Sequence, residues 1–291
     1  MSYNDKFIDA LGKMEAIMSK KGEPFKARAY KKAQESIMLY PHSITNISQL
    51  NYIPNIGASI LEKLSELVKT GSIALIEEEK LNPMNIFIDI YGVGPKKAEE
   101  LVKQHGIKTI AELREKQLLV LNDVQRTGLK YYEDLLKRIP RKEIEDYKVA
   151  FEKVFDLILR SLIPTNSTNI TNITEKICKF EIVGSYRRGH EDSGDIDVII
   201  TGINEIIGQK VFKLFIDVLI KQNIILEVLS RGQSKCLVIT SLHGYTCARR
   251  VDFLYAPINE YAFSTLYFTG SKLFNTMMRQ KSLDIGYTLN Y

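Results

Sequence analysis

The chain contains few cysteines, no long hydrophobic run and only a small excess of positive charge. Its three cysteines, Cys178, Cys236 and Cys247, are odd in number and lack the spacing of metal ligands. This argues against a disulfide framework and indicates inert thiols in a reducing compartment. No apolar run approaches the length of a membrane span, and the first residues lack the pattern of a secretory signal. The net charge of +5 permits contacts with phosphate but is weaker than expected for a protein that coats DNA.

The chain has 291 residues, of which 45% are hydrophobic, enough for one large or several small domains with a sizeable core. One polar stretch carries Asn-x-Ser/Thr sequons at Asn166, Asn169 and Asn172. Because no secretory signal accompanies them, we interpret them as a polar loop rich in Asn and Thr, not as glycosylation sites.

The most informative segment is residues 184–197, which read Gly-Ser-Tyr-Arg-Arg-Gly-His-Glu-Asp-Ser-Gly-Asp-Ile-Asp before an apolar run. Asp195 and Asp197 are two residues apart, which predicts that they lie on the same face of one strand. Paired carboxylates bind divalent metal ions, while arginine side chains and backbone amides bind phosphate. The segment therefore suits a reaction in which metal ions hold a nucleoside triphosphate.

A third carboxylate, Asp252, lies in a short β-type stretch that follows a second strand candidate at residues 235–239. A neighbouring strand could present Asp252 beside Asp195 and Asp197. Three acids on adjacent strands can supply the bridging and flanking ligands of two metal ions. The alternative is a carboxylate at a solvated strand edge.

A repeat in the first half of the chain aligns residues 55–64 with residues 92–101. Each copy has a tight turn containing glycine, Gly57 in the first and Gly92 and Gly94 in the second, followed by an amphipathic helix. This is the pattern of a helix-hairpin-helix, in which turn and helix amides face a DNA phosphate without reading sequence. Asn55 stands where a glycine is usual, and asparagine tolerates a positive φ. The alternative is an ordinary helical hairpin that needs a glycine.

The first helix predicted in the chain runs from about Phe7 to Met18 and places apolar residues at helical spacing, which indicates a core face. A basic helix with interleaved aromatic residues follows, including Lys26 and Tyr30. This composition fits a nucleic-acid surface, although a solvated helix face would look much the same.

The Gly-Ser and Asp-x-Asp segment is the signature of the nucleotidyltransferase superfamily, and the motif series resembles the family X DNA polymerases of the polymerase β type. The resemblance implies an α+β multidomain fold. All-α N-terminal domains with two helix-hairpin-helix motifs would precede a nucleotidyltransferase-type palm, a mixed β-sheet with flanking helices. The implied divisions are a lyase-like, DNA-end-binding domain at 1–80, a duplex-binding subdomain at 81–142, the palm at 143–257 and a nucleotide-binding subdomain at 258–291.

Within this plan, residues 113–140 are predicted to be helical, and residues 142–162 to form one long amphipathic helix beside the palm sheet. The end of the chain, from Gly286, resembles the start of a hairpin that continues further in the family. The last subdomain is therefore expected to be incomplete.

The resemblance also implies roles for the palm residues. Asp195 and Asp197 would hold two Mg²⁺ ions, with Mn²⁺ as an alternative, and Asp252 would ligate the catalytic ion and help to activate the primer 3′-hydroxyl. Further implied substrate-binding residues are Ser185, Arg188 and Gly194 at the triphosphate, Arg250 at Asp252 and the primer end, Tyr267, Phe268 and Gly270 at the sugar, Asn275 at the base and Arg279 at the template.

For the first domain, the resemblance implies 5′-deoxyribose-phosphate lyase activity, in which Lys63 would form a Schiff base. Lys26 and Lys31 could lower the pKa of this amine, and Lys26, Tyr30 and Glu62 match the family's lyase pattern. Basic residues of the family are replaced here by Ser59, Leu75 and Phe25, so weaker lyase activity is expected.

The function implied is that of a DNA polymerase that fills short gaps in base excision repair. Its substrates would be gapped or nicked DNA and deoxynucleoside triphosphates, with a monovalent cation, K⁺ or Na⁺, at the hairpin turns. We expect a monomer that is neither secreted nor membrane-bound, located in the nucleus or alternatively in the cytoplasm, for example in a viral replication compartment. The alternatives are a template-independent nucleotidyltransferase and a non-catalytic DNA-end-binding protein.

Overall fold

The computed structural model describes residues 2–162 and 177–289. The chain divides into two compact units, Met1–Arg126 and Thr127–Tyr291. The predicted polar loop with its sequons at Asn166, Asn169 and Asn172 lies outside the described residues. Within the described residues, no helix combines the length and the apolar character that crossing a membrane requires.

The first unit is built from helices joined by short turns, and proline and glycine mark several of their ends. Pro24, Pro83 and Pro95 each stand in the first turn of a helix, where a missing N–H leaves no partner unsatisfied. The helices are α1 (Asn4–Lys20), α2 (Pro24–Leu39), α3 (Ala58–Thr70), α4 (Ala74–Lys80), α5 (Pro83–Ile88), α6 (Pro95–Lys103) and α7 (Ile110–Val120), with a 3₁₀ turn at Ile47–Tyr52 before α3.

The predicted apolar face of α1 is confirmed, since Phe7, Leu11 and Met14 are fully buried. They join Ala33 and Ile37 of α2 in the core of this unit. The spacing of these residues puts them on one side of each helix, and that side is the one that packs.

The two turns of the repeat have the same backbone geometry. Asn55 has φ 65° and Gly92 has φ 84°, and two residues later Gly57 and Gly94 are the N-caps of α3 and α6. Asparagine does tolerate the left-handed conformation here, as the repeat predicted. Asn55 is further held by its side-chain amide, which donates to Ser36 Oγ at 2.9 Å.

The second unit contains a five-stranded mixed sheet. Its strands are β2 (Cys178–Ile182), β4 (Ile196–Gly202), β5 (Ile225–Arg231), β6 (Lys235–Thr240) and β7 (Arg249–Tyr255), and a separate short pair is formed by β1 (Ile139–Pro140) and β3 (Asp192–Ser193). The strand order in the sheet is β2-β4-β7-β6-β5, with β4 and β7 parallel and the other pairs antiparallel.

Helices flank this sheet, and two of them, α10 (Arg141–Leu162) and α12 (Glu205–Lys221), cover one face. Phe151 of α10 and Phe215 of α12 are fully buried against Phe253 of β7, with ring centroids 5.4–5.9 Å apart. The helices are α9 (Tyr132–Leu135), α10 (Arg141–Leu162), α11 (Gly184–Arg187), α12 (Glu205–Lys221), α13 (Tyr261–Thr269) and α14 (Lys272–Asp284), and α8 (Asp123–Lys130) contains the division between the units.

The predicted fold class is confirmed, including the long helix beside the sheet, which is α10. The prediction of helix over residues 113–140 was wrong at its end. Helices α7, α8 and α9 occupy the first part, but Ile139–Pro140 pairs with β3 as a strand. The residue before a proline is driven out of the helical conformation, which explains the extended ending.

Candidate active site

The carboxylates meet at the parallel pair of strands. Asp197 of β4 is directly opposite Asp252 of β7 in the ladder. Asp195 lies one residue before β4, since pairing begins at Ile196 opposite Val251. The prediction that Asp195 and Asp197 lie in one strand is therefore wrong for Asp195, which immediately precedes the strand, and right for Asp197, which lies in it. The three acids are nevertheless close enough for their charges to act on one another.

Burial is the main cause of a high pKa at Asp197, and the negative charges of Asp195 and Asp252 add to it, raising the pKa to about 7. Burial likewise raises the pKa of Asp252, against the opposing effect of Arg250. Three carboxylates in one partly desolvated place repel one another. Such a cluster favours any cation that enters it.

Arg250 is the cation in contact with two of these acids. Its Nε lies 3.2 Å from Asp252 Oδ1, and its Nη2 forms an ion pair with Asp195 Oδ2. In the part of the chain that the structure describes, no three His, Cys, Asp or Glu side chains are grouped in a way that would hold a metal ion. The guanidinium thus links Asp195 to Asp252 in this conformation. Its predicted role at the primer end stays a prediction.

Gly184, the first residue of the Gly-Ser motif, is a site residue for which the sequence predicted no role. Its φ is 63°, and a Cβ atom built on it would collide with Asp197 Oδ2. The neighbouring Val183 N–H donates to the Asp197 carbonyl at 2.8 Å. The turn therefore packs its backbone directly on the carboxylate, which only glycine allows. Glycine at the first position of the Gly-Ser motif was the available signal.

The residues predicted to bind the triphosphate have protein partners in this structure. Ser185 Oγ donates to Ser193 Oγ at 2.7 Å, and Arg188 Nη1 donates to the Thr269 carbonyl at 2.5 Å. A Cβ at Gly194 would lie 3.3 Å from Arg138 Nη1. Arg188 is exposed. The bond to Thr269 joins the Gly-Ser turn to the end of α13.

The predicted nucleotide-binding aromatics lie at α13 and α14. The Tyr267 and Phe268 rings pack edge to face with centroids 4.9 Å apart. Asn275 Nδ2 donates to the Tyr267 carbonyl at 2.7 Å, and the Arg279 guanidinium lies over the Tyr267 ring at 5.6 Å. Gly270, with φ 69°, ends α13 beside them. The structure thus brings the predicted residues of this segment together, and their contacts with a nucleotide stay predictions.

The buried ion pair of Glu143 and Arg249 was not predicted from the sequence. The two side chains are 4% and 7% exposed, with nitrogen–oxygen distances of 2.7 and 2.8 Å. Lys235 of β6 was not predicted as a site residue either, and its positive charge acts on Asp197 and Asp252. An acid and an arginine separated by about a hundred residues give no local pattern from which to infer pairing.

The hairpin turns leave backbone amides available. Gly57 and Gly94 cap α3 and α6 without a side-chain hydrogen bond, and a Cβ on either would meet open space. Uncapped amides at a helix N-terminus attract anions. Gly92, in contrast, is enclosed, because a Cβ there would lie 3.1 Å from Val124 Cγ1.

Among the residues predicted for lyase activity and DNA binding in the first domain, Tyr30 is placed differently from expectation. Tyr30 is only 6% exposed and belongs to the core of its unit, so its side chain presents almost no surface to DNA. Lys26 is exposed and pairs with Glu23 at 2.5 Å, which raises the pKa of Lys26. Lys63 of α3 is half-buried and, within the described residues, its side chain forms no hydrogen bond or ion pair.

Three protein-family models match the chain in order. They are a helix-hairpin-helix domain over residues 2–73, the fingers domain of DNA polymerase lambda over residues 85–136 and the DNA polymerase beta palm over residues 138–258. The first covers the turn at Gly57, the second covers the turn at Gly92 and Gly94, and the last covers the sheet that carries the carboxylates. Together they define a chain with helical DNA-binding modules and a nucleotidyltransferase palm.

Curated relatives agree with these matches. The chain is 27% identical to DNA polymerase lambda of Arabidopsis thaliana and 27% identical to that of Rattus norvegicus, over 99% of its length in each case. It covers 53% and 48% of these proteins, so it spans about half the length of the curated relatives. A third match, 30% over 33% of the chain and 20% of the relative, is the DNA polymerase type-X family protein pol4 of Schizosaccharomyces pombe. Over nearly its whole length, the chain is therefore similar to the family X DNA polymerases.

Proposed function

We propose that the chain catalyses template-directed addition of deoxynucleotides to a primer 3′-end and fills short gaps in DNA, as in base excision repair. The observation that carries the proposal is the pairing of Asp197 with Asp252 across the parallel strands, with Asp195 adjacent. Two metal ions can stabilise the attacking and leaving oxygens of nucleotidyl transfer, and clustered carboxylates of this kind can hold such ions. The similarity to the family X DNA polymerases supports the same chemistry.

By its chemistry the donor set suits divalent metal ions, because all three groups are carboxylates, hard oxygen ligands that repel one another. In the present conformation, with Arg250 paired to two of them, the three side chains are not grouped to hold an ion. Asp195 and Asp197 would hold two Mg²⁺ ions, with Mn²⁺ as an alternative, and Asp252 would share one of them. These ions would supply charge stabilisation for the triphosphate and the attacking oxygen. For that, Arg250 has to leave Asp195, since its guanidinium now neutralises that carboxylate.

The protein groups around the acids provide binding and orientation. Arg188 is exposed and can exchange its bond to the Thr269 carbonyl for phosphate oxygens, while Ser185 sits at the same turn. Arg250 keeps its contact with Asp252 and orients that carboxylate toward the primer 3′-oxygen. The aromatic pair of Tyr267 and Phe268 would border the sugar. Charge-assisted bonds of arginine to phosphate are among the stronger protein contacts.

DNA binding is assigned to the two hairpins. The open amides beyond Gly57 and Gly94 suit phosphate oxygens on the two flanks of a gap, with K⁺ or Na⁺ among the turn carbonyls. Such contacts do not depend on base sequence. We further infer a monomer that acts in the nucleus, with a cytoplasmic compartment as the alternative.

A second activity is proposed for Lys63, which lies on α3, the helix capped by Gly57. Its amine has no acidic partner within the described part of the chain and is therefore available to attack the aldehyde of a 5′-deoxyribose phosphate. Lys26 is occupied by Glu23, which leaves fewer positive charges for the 5′-phosphate. Weak lyase activity is the expectation.

Primer extension on a single-nucleotide gap tests the main proposal. The assay compares gapped substrates with and without a 5′-phosphate, and a primer without template. Extension that requires template supports the proposal. Extension without template would identify a template-independent nucleotidyltransferase, and DNA binding without extension in saturating Mg²⁺ and Mn²⁺ would identify a non-catalytic end-binding protein.

A further inference from the structure

The start of β7 is held from the side of the sheet opposite the carboxylates. Along a strand, alternate side chains point to opposite faces. Arg249 therefore faces α10 and pairs with Glu143, while Arg250 and Asp252 face Asp195 and Asp197. Arg249 is the immediate neighbour of one residue of the candidate active site and lies three positions from the other.

The contacts at this point are numerous for a single residue. The Arg249 guanidinium forms two hydrogen bonds with Glu143, at 2.7 and 2.8 Å, and a third with the Lys137 carbonyl at 3.1 Å. Its own carbonyl accepts from Thr240 Oγ1 at 3.1 Å, and the preceding Ala248 N–H donates to Asp134 Oδ2 at 3.1 Å. Side chain and backbone are thus fixed from α9, α10 and β6.

This pair is more than a surface ion pair, because both side chains are almost wholly buried. A buried ion pair adds little to stability compared with well-packed apolar side chains, since desolvation of the two charges offsets their attraction. The ion pair instead contributes geometric specificity, because a bidentate arginine–carboxylate pair restricts the relative position of its two partners. A shift of β7 by one residue would turn Asp252 away from Asp197.

We propose that Glu143 and Arg249 are positioning residues that set the register of β7, and through it the placement of Arg250 and Asp252 in the active site. The inference rests on the proposed nucleotide addition. Neither side chain touches substrate, and both act through the strand. Loss of the ion pair should therefore lower the affinity of the three acids for a divalent ion and slow the chemical step. The affinity for DNA should not change.

The test replaces both residues together, Glu143→Met with Arg249→Met, so that no buried charge is left unpaired. The matched control is Leu219→Ala, which opens a cavity under a fully buried residue of α12. Readouts are the melting temperature, the dissociation constant for gapped DNA, kcat and KM for the deoxynucleotide, and Mn²⁺ affinity by electron paramagnetic resonance. If the double variant does not fold, it is replaced by Arg249→Lys, which keeps the positive charge but loses the planar guanidinium that binds a carboxylate in a bidentate manner.

We expect the double variant to lose about 10-fold to 100-fold in Mn²⁺ affinity and in kcat, the range typical of residues that orient metal ligands. KM and DNA affinity should stay near wild type, and Leu219→Ala should keep kcat and Mn²⁺ affinity despite a lower melting temperature. Wild-type kcat and Mn²⁺ affinity in the double variant would overturn the proposal, as would equal losses in the control. If the wild-type protein adds no nucleotide, the proposed function fails, and Mn²⁺ affinity alone decides the positioning role.

Discussion

Substituting Gly184 by alanine should separate catalysis from folding. The left-handed φ of 63° at this position costs an alanine about 1–2 kcal/mol of stability. The added methyl group also collides with the Asp197 carboxylate, which must retreat by roughly 1 Å, and a misplacement of about 1 Å costs on the order of 100-fold in rate. That rate loss corresponds to about 2.7 kcal/mol of transition-state stabilisation.

The matched control is Gly244→Ala. Gly244 has φ 91°, also in the left-handed region, but a Cβ there meets open space. Both variants should show a lower melting temperature from the shared backbone cost, and Gly184→Ala a somewhat larger fall because of its collision with Asp197. Only Gly184→Ala should lose nucleotide addition, measured by single-turnover extension of gapped DNA in saturating Mg²⁺. Equal extension rates for the two variants would refute the claim that the turn backbone places Asp197.

Three further predictions concern the acids, the hairpin and the lysine. Asp197→Ala or Asp252→Ala should abolish nucleotide addition and leave the dissociation constant for gapped DNA largely unchanged, because each removes a metal ligand; extension near the wild-type rate would contradict the assignment. Gly94→Val, whose side chain meets open space in the protein, should weaken binding to gapped DNA at moderate salt with little dependence on sequence; an unchanged dissociation constant would count against the hairpin contact. Borohydride should trap a covalent complex with 5′-deoxyribose-phosphate DNA, and Lys63→Ala should greatly reduce it; equal trapping by the variant would exclude this lysine.

Local patterns in the sequence determined the hairpin turns and the buried faces of the helices in this protein. The glycine turns predicted two hairpins, and even the exception, Asn55, adopts the positive φ that its residue type tolerates. The apolar spacing of α1 and α10 identified their buried faces. These features depend on residues a few positions apart, so the sequence carries them directly.

Tertiary structure alone decided how the site is assembled. The register that sets Asp197 opposite Asp252, and the link of Arg250 to Asp195, join residues about 55 positions apart, for which no local period exists. The same holds for the buried side chain of Tyr30, which its place in a basic helix had suggested was exposed. Residue type and spacing indicate which chemistry a chain can perform. Strand pairing and packing determine which of those residues come into contact. The reason is that the free energy of burying a residue depends on the whole core around it and not only on the residues next to it in sequence.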